Sequence, residues 1–128
     1  MALNDAKFAA LLAKAFAAGA VAGAAVTPVP MVVRQHADSL DDTSPVTKAW
    51  HVPDGVCGFG WVHFKGNTPF GRWAKNNGHA RPDYPTGLAI SSKLMTQSMA
   101  RNEAWADAVA KVLRDGGVPD AFPQSRID

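Results

Sequence analysis

The stretch Cys57-Gly58-Phe59-Gly60-Trp61-Val62-His63-Phe64 limits the possible folds more than any other part of the chain. Its aromatic and β-branched residues favour a strand, and the period of two sorts the side chains into two sets. Cys57, Phe59, Trp61 and His63 point one way; Gly58, Gly60, Val62 and Phe64 point the other. Glycine inside a strand weakens it unless another backbone has to come close. The expectation is a central strand covered on both faces, with a helix backbone near Gly58 and Gly60. Upstream, Pro53-Asp54-Gly55 has turn chemistry, since Pro presets φ and Gly accepts φ above zero. Val46 to Val52 reads as a strand, so residues 46–64 are expected to form an antiparallel hairpin.

Local signals place the other elements. Phe8, Leu11, Leu12, Ala15, Phe16 and Gly19 recur at helical spacing, which predicts a helix from residue 4 to about 25, capped by Asn4 or Asp5. Its stripe serves either the core or contacts with another subunit. The small residues Gly19, Ala20, Gly23 and Ala24 would let another backbone approach, in its own sheet or a neighbouring subunit. Pro28 and Pro30 end it. Met31 to His36 suggests a first strand, and Asp38 to Pro45 a polar loop. Thr68 and Pro69 open a short helix that ends before Gly78. On it Phe70 and Trp73 pack inward while Arg72 and Lys75 face water. Gly87 to Ser92 reads as a strand. Ser98 opens a long helix with Trp105, Ala108, Val109, Val112 and Leu113 inside and Gly116-Gly117 as its stop. Ala121 to Ile127 reads as a last strand. The order α-β-β-β-α-β-α-β describes a single α+β domain, a mixed or antiparallel central sheet with packed helices. Within it, residues 1–28 form an Ala-rich helical arm and 29–128 the α+β core.

With 128 residues, 47% apolar and 19% charged, the chain can bury a core of its own. Ala15 to Val33 is uncharged, yet Asp5 and Lys14 argue against a secretory leader, and the Ala/Gly content with two prolines argues against a membrane span. The net charge of +2 implies no partner by itself. Its distribution is more telling: no Asp or Glu lies between Asp54 and Asp83, a stretch that carries Lys65, Arg72, Lys75 and Arg81.

Chemistry-bearing constellations are few. From Gly58 on, the octamer resembles the base-stacking signature of RNA-recognition motifs, with Trp61 as the fifth-position aromatic. That resemblance implies a surface of Phe59, Trp61 and His63 with Lys65, Arg72 and Lys75 for phosphates. Cys57 replaces the expected Lys or Arg, and the order of elements differs from that motif. Cys57 and His63 share a face but lie about 20 Å apart along a strand. His36, His51 and His79 have no ligand-like spacing. Cys57 reads as a small buried hydrophobe and Asp38, Asp41 and Asp42 as a solvated loop. Neither a catalytic set, a metal site nor a cofactor motif is expected.

The segments PDGVCGFGWV, GNTPFGRWAKNNG, VLRDGGV and the ending SRID resemble a group of small proteins encoded by tailed bacteriophages. The shared features are Asp54 to Val62, the helix bearing Phe70 and Trp73, and Ser125 to Asp128. The resemblance covers roughly residues 53–128 and implies phage origin. The expected function is therefore a non-enzymatic virion structural protein, a capsid-decorating or minor head or tail component. It would bind other copies of itself or a major structural protein, with Phe8, Leu11, Leu12 and Phe16 as contact residues. The alternative is a nucleic-acid-binding module on the aromatic face. Exposure of Phe59 and Trp61 separates the two.

Overall fold

The structure, a computed structural model, describes residues 2–53 and 55–128. Asp54, in the middle of the expected turn, lies outside them. The chain is a single α+β domain with helices α1 (Ala2–Ala25), α2 (Pro69–Asn76) and α3 (Met99–Asp115). Its strands are β1 (Met31–His36), β2 (Val46–Val52), β3 (Gly58–Phe64), β4 (Arg81–Pro82), β5 (Leu88–Ser91) and β6 (Phe122–Ile127). They form two antiparallel sheets: β1 with β2, and a four-stranded sheet in the order β4-β5-β3-β6.

The element boundaries follow local chemistry. Thr68 Oγ1 accepts from the Gly71 N–H at 3.0 Å and Pro69 opens α2. Ser98 Oγ accepts from the Arg101 N–H at 3.3 Å at the start of α3. Such caps contribute about 1 kcal/mol each. Downstream, α3 ends at Gly116 and Gly117, the latter with φ 108°. The two-residue strand β4 has no periodicity to announce it, and only its pairing with β5 makes it a strand.

Three helices cover one face of the larger sheet. Val62 and Phe64 of β3 are fully buried there, with Leu88 and Ile90 of β5 and Trp105, Val109 and Leu113 of α3. Burying each large side chain contributes about 1.5–3 kcal/mol. Aromatic edges tie the layers together: Phe64 meets Phe70 at 5.2 Å, Phe70 meets Phe8 at 5.5 Å, and Phe16 stacks on Trp105 at 5.8 Å. The stripe of α1 therefore packs within its own chain. Leu12 is buried, and Phe8, Leu11 and Phe16 are half-buried against the core. At Gly19 an added Cβ would lie 2.6 Å from Trp105 Cδ1, and at Gly23 it would collide with Leu94. The small-residue end thus admits side chains of this chain rather than a backbone. The segment Asn4–Ala25 is long and apolar enough to cross a membrane, with one side of it lying on α3.

The expected hairpin over residues 46–64 is not formed. β2 pairs with β1, with Val33 opposite Trp50 and Arg34 opposite Ala49, while β3 lies between β5 and β6. Pairing with β5 sets its buried Leu88 and Ile90 beside Phe64 and Val62 and extends the apolar layer over α3. The exposed strand β2 offers no such surface. Gly55, at φ 69°, does make a turn, and its N–H donates to the Val52 carbonyl at 3.1 Å. That turn redirects the chain into the other sheet.

The β1–β2 ribbon stands apart. Val32, Val33, Val46 and Trp50 are all at least 40% exposed, on both sides of the ribbon. Its loop is locally ordered: Asp38 Oδ1 accepts from Leu40 N–H, and Asp41 Oδ1 accepts from Thr43 N–H and Oγ1–H. The Thr43 side-chain bond, then its backbone bond, hold the Asp41 carboxyl below its ordinary range. These aspartates build the loop.

Candidate functional site

The decisive geometry is on β3. Gly58 and Gly60 are buried toward α3, as the alternation requires. A Cβ on Gly60 would strike the Asn102 carbonyl group, 2.6 Å from its carbon, so the helix backbone does approach here. The opposite face carries no helix, which corrects the expectation of a strand covered on both sides. Phe59 is 46% exposed and Trp61 and His63 are half-buried. The reason is topological: all three helices pack on the Val62/Phe64 side, leaving the other to solvent.

Register fills that open face from four strands. Arg126 lies opposite Phe59, Gln124 and Ser91 opposite Trp61, and Phe122 and Ala89 opposite His63. Arg81 of β4 pairs with Ala89 and so adds a guanidinium beyond β5. The Arg126 guanidinium carbon sits 5.4 Å from the Phe59 ring centroid, within cation–π range. Phe122, 42% exposed, lies against the His63 ring at 4.8 Å.

Asp83 organises the centre. Its Oδ2 accepts from His63 Nδ1 at 2.7 Å and from Trp61 Nε1 at 3.2 Å; Gln124 Oε1 takes the same indole N–H at 2.9 Å. Oδ1 accepts from the Tyr84 N–H at 2.9 Å. Burial pushes the Asp83 carboxyl up, but the bonds from His63, Tyr84 and Trp61 outweigh it and hold the group below its ordinary range. The His63 and Asp83 side chains are 17% and 10% exposed. The pair fixes the rings of Trp61 and His63 in place. Its loop closes through Asp83 N–H to the Gly87 carbonyl at 3.0 Å, and Gly87 leaves room for the His63 ring.

The cations of the acid-free segment do not gather beside Phe59. Lys65 and Lys75 share a shallow groove with His63 at the far end of the face. Arg72 lies elsewhere, donating to the Asn67 carbonyl at 3.1 Å near Asn4 and Phe8. Of that segment's cations only Arg81 reaches the aromatic face, where Arg126 of the last strand joins it. Arg126 could have been found from Phe122, Gln124 and Arg126 alternating along the last strand. Asp83 and Asn102 carry no comparable signal. Cys57 is half-buried rather than buried, with Sγ 4.0 Å from Gln97 Oε1. Among the described residues no three His, Cys, Asp or Glu side chains converge on a metal-sized site.

No protein-family model matches the chain, and no curated protein or solved structure matches it significantly either. The sheet face itself is the ground for a functional reading.

Proposed function

We propose that this chain is a non-enzymatic nucleic-acid-binding module that takes single-stranded nucleic acid on the open face of its four-stranded sheet. The observation that carries the reading is Phe59, 46% exposed on an interior strand and lying under the Arg126 guanidinium. An exposed ring on a rigid sheet offers a base a flat apolar partner at little ordering cost, worth about 1–3 kcal/mol. Arg126 and Arg81 supply phosphate contacts beside it. Titrating a fluorescent single-stranded oligonucleotide by anisotropy tests this. Micromolar binding that weakens with salt and drops about tenfold in Phe59→Ala supports it. Binding indifferent to Phe59→Ala, or none at low salt, ends it.

A second reading, a structural component of a tailed-phage particle, is favoured by the β1–β2 ribbon, whose valines and Trp50 are exposed on both sides. Such an arm would engage other copies of the chain or a major structural protein. The resemblance of Asp54–Val62 and Ser125–Asp128 to tailed-phage proteins supports the setting. Mass spectrometry of purified particles tests it, and absence at stoichiometric level would rule it out.

A further inference from the structure

A cleft of about 790 Å³ opens on the sheet face beside Trp61. Its origin lies in the backbone. Ser92 N–H donates to the Gly60 carbonyl at 2.9 Å, and Gly58 N–H to the Gln97 carbonyl at 3.0 Å. Between these bonds the chain runs from Ser92 to Gln97 on one side but only from Gly60 to Gly58 on the other. The surplus residues bow outward, and the space left behind is walled by Leu94 and Thr96, with Asn102 of α3 at its side.

The polar groups here have a definite imbalance. Arg81 bonds only the Ser91 hydroxyl, at 3.0 and 3.3 Å, and Arg126 lies over Phe59; neither has a carboxylate partner among the described residues. The one carboxylate of the lining, Asp83, already accepts from His63, Trp61 and Tyr84. Asn102 is 5% exposed, and its Nδ2 donates to the Gly58 and Thr96 carbonyls, which fixes the amide orientation. Its Oδ1 is the buried side-chain polar atom left without a partner among the described residues. A buried carbonyl without a donor is costly, and a site that binds a donor beside it recovers that cost. Tyr84, 91% exposed, lines the same cleft as Phe59 and Trp61.

We propose that this cleft is a nucleotide subsite. The base enters against Trp61 and Phe59 with Tyr84 closing over it, a ring N–H or amino group faces Asn102, and phosphate pairs with Arg81 or Arg126. The two arginines stand on the outer strands β4 and β6, so a nucleotide within a strand uses both and a free nucleotide uses one. Two unneutralised guanidiniums flanking an aromatic wall call for a ligand that is both planar and anionic. This deepens the nucleic-acid reading and rests on the same sheet face.

Titration of the ¹⁵N-labelled chain tests it, following the Trp61 indole N–H signal. The probes are AMP, CMP, GMP, UMP, inorganic phosphate and a ten-nucleotide single strand. The variants are Arg81→Ala and Tyr84→Ala, both at exposed positions, beside Phe59→Ala. The expected result is a Trp61 shift with the strand, with each cleft variant weakening binding about tenfold. A strand that weakens only in Phe59→Ala crosses the face without entering the cleft, which overturns the subsite and leaves the function standing. A mononucleotide that shifts Trp61 when the strand does not bind supports the subsite with a free nucleotide as its source and overturns the strand-binding reading. Shifts reproduced by phosphate alone, or none with any probe, overturn the subsite.

Discussion

Two antiparallel sheets in one short chain meet opposite fates. The β4-β5-β3-β6 sheet is sealed on one side by three helices and leaves its other side open; the β1–β2 ribbon has neither side sealed. Both are held by antiparallel pairing, the ribbon with a register shift at Gln35/His36, so pairing by itself does not distinguish them. Coverage does. An isolated two-stranded ribbon is marginal in water, whereas a sheet with one apolar layer beneath it is rigid enough to present its other face as a binding surface. Phe59 and Trp50 show the contrast: both are exposed aromatics near a cation, Arg126 and Lys48 respectively. Only Phe59 stands on a strand whose reverse side is buried.

The largest test of that contrast is a pair of tryptophans. Trp105→Ala, at a side chain 1% exposed between α1 and the sheet, is expected to cost about 3–5 kcal/mol in urea unfolding. Trp50→Ala in the ribbon is expected to cost under about 0.5 kcal/mol. Comparable losses would mean that the ribbon is part of the cooperative unit. Next comes Gly60→Ala, which must displace the Asn102 backbone and is expected to cost about 1–3 kcal/mol by the same measurement. An unchanged midpoint would show that α3 does not press on β3.

Native-state hydrogen exchange sharpens the same point without mutation. Amides of Val62 and Phe64 are expected to exchange only on global unfolding, and those of Val33 and Trp50 far sooner. Equal protection would break the distinction. The smallest effect concerns acid. Asp83 is held below its ordinary value of 3.8, so its contribution is complete above that pH and is lost as pH falls below it. Asp83→Asn should therefore flatten the fall in unfolding midpoint between about pH 4 and pH 2. An identical acid profile in the variant would show that the bonds from His63 and Trp61 do not favour the ionised form.

Much of the site was legible one strand at a time. Alternation placed Phe59, Trp61 and His63 on one face of β3, and that is where they lie. It could not say that the face was open, because that depends on which side the helices choose. Lys65, Arg72 and Lys75 are close in sequence, but only Lys65 and Lys75 meet, beside His63, since the short helix α2 turns Arg72 away from them. Arg126 and Asp83 reach the face through register and loop closure, which join residues 67 and 22 positions away from Phe59 and Trp61.

The sequence by itself determined the α+β class and every element but β4. Thr68 with Pro69, Ser98, Gly116 and the prolines after α1 act within a turn or two of chain, so their effects can be read locally. Tertiary structure alone decided that β2 pairs with β1, that α1 lies along α3, and that β3 shows its aromatic face to water. Those outcomes depend on which apolar surfaces find each other across long stretches of chain. The burial of Val62, Phe64 and Trp105 in one layer settles them together.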